Sequence, residues 1–436
     1  VKMRETGQAL SAAALVILSL TLLTLPKAAS SRRRPLSLPA QSNTDSPLLD
    51  SLLRADPQLA PIIKRANEHE VQIIYTQIHR DEQNQPHFTQ HNFHLNARQY
   101  FNPASLVKLP VAALALEKLN QLHQPGLNLN NSLSIGAAFR CQTPVPYVVP
   151  SDSDQLNTIG NYIKRMLLVS DNSAYNRLYE FLGQRFLNER LWSLGYPTVR
   201  IVRRFAPCDA AANRYTNPFI FYNQQGEPIY KQPAAINTYP LGFPLGRITK
   251  GNGYQAGGQI VKKSYDFTTA NYLPLQQATD LLKAILFPEQ APRNQQMNLT
   301  TVDYAFLRRY LYKTPHASNI SLYTSNKYHD AYKKYLYYGR SPKARSHPSL
   351  RIYNVVGMSH GYLADVAYFA DATQQTEFLL SAVIYVNKDG IINDGAYEYE
   401  SVGLPFLARL GQIIYQYEVA KNYIKRPQLH NTFSKD

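Results

Sequence analysis

The chain predicts an α+β domain: an antiparallel sheet built from both chain ends and flanked by helices, with a helical subdomain inserted between the sheet halves. Three observations predict it. VQIIYTQI (71–78) and HFTQHNFHL (87–95) read as a strand hairpin near the start. Apolar runs of helical period fill the middle, led by residues 112–119. Strands then return in RIYNVVGM, DVAYFAD and EFLLSAVIYVN, before the amphipathic stretch SVGLPFLARLGQIIYQYEVAKN.

In chain order, Lys2 and Arg4 precede an apolar run over 9–26, with small residues at Ala28, Ala29 and Ser30. Residues 1–30 read as a secretory signal, or as a membrane anchor if retained, since Arg32, Arg33 and Arg34 follow. Either way the body of the chain is expected outside the cytoplasm, periplasmic or extracellular, with an inner-membrane tether in the second case. No cysteine follows the run, which argues against a lipoprotein anchor. Residues 31–50 form a Pro/Ser/Arg-rich leader expected to be disordered. A short helix is expected over 51–67. A single domain spans 51–425, and 426–436 is a tail.

The stretch FNPASLVKLPVAALALEKLN places Ser105 three residues before Lys108 at the mouth of an apolar helix, so both side chains share one face. A lysine among Val107, Leu109 and Val111 is desolvated, which disfavours its ammonium form and supplies the serine with a base. The helix amino end adds partial positive charge where an oxyanion would form. Farther on, in IKRMLLVSDNSAYNRLYEFLG, the polar triplet Ser170, Asp171 and Asn172 separates two apolar helical runs, where helix caps are expected.

Ser-x-x-Lys followed by Ser-Asp-Asn is the signature pair of the penicillin-recognising serine hydrolases, and the chain resembles the class A beta-lactamase-like family over about 70–205 and 265–420. The resemblance implies a beta-lactamase/transpeptidase-like fold and an acyl-enzyme mechanism. In it Ser105 attacks, Lys108 takes its proton, Ser170 passes a proton to the leaving group, and Asn172 orients substrate and lysine. The family's third element is a Lys-Thr-Gly strand. Here Val355, Val356 and Gly357 take that place without the lysine; the alternative register, Ser359, His360 and Gly361, offers a histidine and again no lysine. In the first register the Met358 amide would complete an oxyanion hole with that of Ser105. The family's deacylating glutamate, with an asparagine four residues later, finds its spacing only in Asp209 and Asn213. Should Asp209 not reach the water, acylation would outlive deacylation.

Two cysteines, Cys141 and Cys208, suit an oxidising compartment, either as one disulfide or as two buried thiols. His87, His91 and His94 form a loose cluster that reads as solvated strand histidines, so no metal is expected. There is no Gly-rich phosphate loop, and no cofactor is expected. The net charge is +16. Basic, tyrosine-rich insertions are expected at about 214–264 and 308–350, the latter a solvated cover or a face for an anionic envelope polymer or acidic membrane surface. Nucleic acid fits an exported protein poorly. The partner expected at the cleft is a small-molecule or peptide-like substrate, such as a beta-lactam or a peptidoglycan fragment. The alternative is a catalytically degenerate envelope ligand-binding protein.

Overall fold

The computed structural model describes residues 44–148, 156–205, 209–345, 347–423 and 425–429. The expected signal or anchor lies outside them. Among the described residues no helix is long and apolar enough to cross a membrane.

Helix α1 (Pro47–Ala55) starts inside the stretch expected to be disordered, because Leu49 and Leu53 are fully buried beneath the sheet. Pro57 holds Asp56 extended and ends it, so the single helix expected over 51–67 is two: α1, and the one-turn α2 (Ala60–Ile63). Strands β1 (Gln72–Arg80) and β2 (Pro86–Phe93) form the expected hairpin. A 3₁₀ turn (Ala104–Val107) leads into α3 (Lys108–Gln121), and α4 (Ile159–Val169), α5 (Asn172–Leu182) and α6 (Gln184–Ser193) build the inserted helical part. Helices α7 (Leu275–Leu286) and α8 (Thr301–Tyr312) return the chain to β3 (Leu350–Ser359), β4 (Tyr362–Asp371), β5 (Thr376–Tyr385) and α9 (Leu404–Ala420).

The main sheet runs β3-β4-β5-β1-β2, all antiparallel, so strands from both chain ends meet where β5 pairs β1. Both faces are covered. Along β4, Ala364, Val366, Tyr368 and Ala370 enter the core shared with α3 to α8, while Leu363, Ala367 and Phe369 enter the core under α1 and α9. Burial on both faces explains why this strand reads as a continuous apolar run rather than an alternating one. The tail is not free at its start: Leu429 is buried, and the Gln428 amide donates to Asn84.

The two insertions behave differently. Residues 214–264 fold into short strands: Phe219–Tyr222 pairs with Leu133–Ile135 and with Pro228–Gln232, and Gly253–Ala256 pairs with Gln259–Val261 and Ile391–Ile392. The segment after α8 is a solvated cover only in part: much of 316–330 is exposed, but the stretch that follows is not. Its Lys333, Lys334, Tyr335 and Leu336 are buried, because the chain dives between α4 and the β3 end of the sheet, where backbone carbonyls can receive the two amines.

Candidate active site

The site forms where the turn before α3, the α4–α5 corner and edge strand β3 meet. Asn102 Oδ1 accepts the Ala104 amide at 2.9 Å, and Ala104 sits at φ +44°. A left-handed alanine is uncommon and costly, and here it swings the chain so that Ser105 opens into the cleft. Gly357 of β3 lies against this turn: a Cβ there would fall 2.6 Å from the Pro103 carbonyl oxygen. Only glycine permits that approach. This close packing fits the Val355-Val356-Gly357 register, whereas Gly361 occupies the β3–β4 hairpin turn at φ +84°.

At the second corner, Ser170 ends α4 in the left-handed conformation, φ +59°. Asp171 caps α5, its Oδ1 accepting the Ala174 amide at 3.0 Å and its other oxygen pairing with Arg165 at 2.7 Å. The capping reading of the triplet therefore holds for its middle residue, and the flanking residues turn inward. Lys108, 1% exposed, has its Nζ 2.9 Å from Ser105 Oγ, 2.6 Å from the Ser170 carbonyl oxygen, 2.8 Å from Ser170 Oγ and 2.7 Å from Asn172 Oδ1. Ser170 Oγ lies 2.8 Å from Ser105 Oγ. Phe205 covers the amine, 5.2 Å from its ring centre.

Burial pushes the Lys108 ammonium well below the ordinary lysine range, the charge of Lys333 adds to this, and Asp171 opposes it. A neutral amine has two N–H donors and one lone pair. The Ser170 carbonyl and Asn172 Oδ1 can only accept, so they use the two donors and leave the lone pair for a serine hydroxyl.

Lys333 is a residue that sequence reasoning missed. Its Nζ donates to the Leu167 carbonyl, one turn before Ser170, and burial lowers its own pKa to about 7. Beside it Lys334, also lowered to about 7, donates to the carbonyls of Leu311 and Ile352 and to Asn354 Oδ1, at 3.0, 2.6 and 2.7 Å. Asp365, raised to about 7 by burial, accepts the Tyr335 and Leu336 amides and Asn354 Nδ2. Two buried lysines thus stand behind the site although β3 carries valine. Nothing in the spacing of a segment so far along the chain signals it.

The cleft measures about 260 Å³ and is lined by Ser105, Asn172, Met358 and His360 among others. His360 Nδ1 accepts from Asn102 Nδ2 at 2.9 Å, and burial followed by the charge of Arg203 lowers it to about 4, so the ring is neutral. Asp209 is not brought to the cleft. Its carboxylate pairs with Arg140 in solvent and caps a 3₁₀ turn through the Ala212 amide at 2.8 Å. Asn213 is buried beside it as a structural clamp, its Oδ1 accepting the Arg204 amide at 2.7 Å. The four-residue spacing was turn chemistry. Among the described residues lining the cleft, none is a carboxylate. Cys141 is disulfide-bonded, and Cys208 lies outside the described residues. No group of three or more His, Cys, Asp or Glu that could hold a metal occurs among the described residues. His87 and His94 pair with Asp81 and Asp45, and His91 lies 2.8 Å from Ser46 Oγ.

The sequence pattern of the beta-lactamase enzyme family matches residues 54–226. No curated protein matches the chain. Among solved structures, the chain is similar to a beta-lactamase from Sphaerobacter thermophilus (10% identity, 86% of this chain and 97% of that one, TM-score 0.44). A beta-lactamase from Desulfarculus baarsii gives 12% identity, 87% and 100% coverage and a TM-score of 0.46. A class A beta-lactamase from Clostridium kluyveri gives 14%, 83%, 99% and 0.44. The family match contains Ser105, Lys108 and the Ser170-Asp171-Asn172 corner, and over that segment the chain is similar to the beta-lactamase enzyme family.

Proposed function

We propose that this chain is an exported serine hydrolase that forms an acyl-enzyme at Ser105 with an amide or ester carbonyl of a small-molecule or peptide-like substrate. The observation that carries the reading is the buried Lys108 amine, held by two oxygens that can only accept and left with its lone pair toward a serine hydroxyl. Ser105 Oγ bonds to the carbonyl carbon as its proton passes to Lys108 Nζ, and the carbonyl π electrons move to oxygen, facing the amides of Ser105 and Met358. Collapse expels the leaving nitrogen or oxygen. Ser170 Oγ, in reach of both Lys108 and Ser105, relays the lysine proton to it. With no carboxylate among the described cleft residues to activate water, the acyl-enzyme is expected to be long-lived, closer to a transpeptidase or a slow hydrolase than to a fast beta-lactamase.

A fluorescent penicillin and a fluorophosphonate probe test this on the purified chain. At least one should label it, and Ser105→Ala should abolish the labelling. A folded wild-type protein that takes neither label overturns the proposal.

A further inference from the structure

A second cavity, of about 390 Å³, adjoins the catalytic cleft, and Arg203 and Tyr265 line both. Its wall includes Arg200, Arg203 and Arg214, and among the described residues no Asp or Glu lines it. Burying guanidinium groups without a carboxylate is costly unless other acceptors or a ligand answer them. Arg200 is answered. Its Nε and Nη1 donate to the carbonyls of Gly242, Pro197 and Val199, and its plane stacks on Trp192 at 4.2 Å. Arg214 donates Nε to the Asn237 carbonyl at 2.6 Å.

Arg203 differs from both. Its backbone is fixed from two sides: its amide donates to Asn271 Oδ1 at 3.0 Å, and its carbonyl accepts from Tyr175 Oη at 3.0 Å. Asn271 and Tyr175 are themselves buried. Its guanidinium, half-buried, has no hydrogen bond or ion pair among the described residues. The fold therefore holds the residue still and leaves its planar fork of donors free where the two cavities meet. Residues from the first insertion close the far side, with Tyr239, Leu241 and Phe243 giving the second cavity an apolar and aromatic wall.

We propose that this cavity is a substrate subsite for a carboxylate carried on the acyl portion, with Arg203 as its counter-ion. The planar fork of Arg203 matches one carboxylate in bidentate geometry, whereas a phosphate dianion would call on further donors, of which Arg200 commits Nε and Nη1, and Arg214 Nε, to backbone carbonyls. The apolar wall suits the methylene or side-chain spacer that joins such a carboxylate to the carbonyl at Ser105. The inference rests on the acyl-transfer reading only in placing the carboxylate on the acyl portion. The anion site itself is readable without turnover.

The test uses the full chain carrying Ser105→Ala, titrated calorimetrically with the mono-anilides of succinic, glutaric and adipic acid and with the methyl ester of each. At the chain length that spans the two cavities, the free acid should bind about tenfold or more tightly than its ester, as expected for a charge-assisted bidentate pair. Adding Arg203→Met should bring that ratio close to one, with Arg203→Lys intermediate, and an unchanged thermal midpoint shows that the fold survives. Equal binding of acid and ester at every length, no binding by any of them, or a preference that persists in Arg203→Met overturns the proposal. Because no acyl transfer is read, loss of probe labelling at Ser105 would remove the hydrolase reading and leave this subsite standing.

Discussion

Two buried amines, Lys108 in the segment that matches the family and Lys334 in the basic segment that follows α8, are dehydrated alike yet put to different ends. Both are nearly inaccessible and both are met by oxygen acceptors at 3.0 Å or less. Lys334 meets two backbone carbonyls and an asparagine, and no hydroxyl. Lys108 meets one carbonyl, one asparagine and two serine hydroxyls, one of which lines a cleft. Desolvation alone therefore makes a weak base. Desolvation beside a hydroxyl that opens to solvent supplies what the proposed acyl transfer needs, a base next to a nucleophile.

The largest effect expected from this contrast is on chemistry at the first amine. Lys108→Met should lower the rate of probe labelling by roughly 10²–10⁴, the usual worth of a positioned general base, while the protein stays folded. Lys334→Met should do the reverse. It leaves three acceptors unanswered, at about 1–3 kcal/mol each, so its urea midpoint should fall while folded molecules label at the wild-type rate. Equal loss of labelling in both variants would break the comparison.

A smaller effect lies in the pH profile. Lys333→Met removes a positive neighbour, so Lys108 holds its proton to higher pH and the rise in labelling rate should move upward in pH. The stability sign follows from linkage. With Lys333 near 7 in the fold and near 10.5 unfolded, the unfolded chain binds more protons between those values, so wild-type stability climbs with pH across that window. The Tm of wild type relative to Lys333→Met should therefore rise from pH 7 to pH 10. A flat difference would show that this amine is not held neutral.

Gly357→Ala probes the close approach of β3 to the nucleophile turn. A Cβ 2.6 Å from the Pro103 carbonyl must displace backbone, and a loss of roughly 1–3 kcal/mol in urea unfolding is expected, with slower labelling because Ser105 moves with the turn. The smallest effect is at Asp209. Paired with Arg140 in solvent, it should change neither acylation nor nitrocefin turnover when replaced by alanine.

What could be read from residue order follows the same division. Ser105 with Lys108, and Ser170 with Asn172, are each separated by less than a helical turn, so local spacing carries their geometry, and the family resemblance joins the two pairs. The strands β1 and β3 to β5 were legible as apolar runs, and β2 as the polar partner of β1 in a hairpin. The short strands within 214–264 were not, being two to five residues of mixed polarity whose pairing partners, such as Leu133–Ile135 and Ile391–Ile392, lie far off in sequence. Lys333 reaches Leu167 across 166 positions, and Arg203 is defined by partners it lacks. Neither fact has a local pattern. Asp209 shows the opposite failure, a spacing that matched while the loop used the carboxylate as a turn cap.

Activation of Ser105 depends on Lys108 being a neutral amine in the resting protein. NMR titration of the lysine side chains, with the Lys108 signal assigned by its loss in Lys108→Arg, measures this without any substrate. We expect a midpoint well below the ordinary value of 10.5; a Lys108 that titrates at that ordinary value would contradict the account.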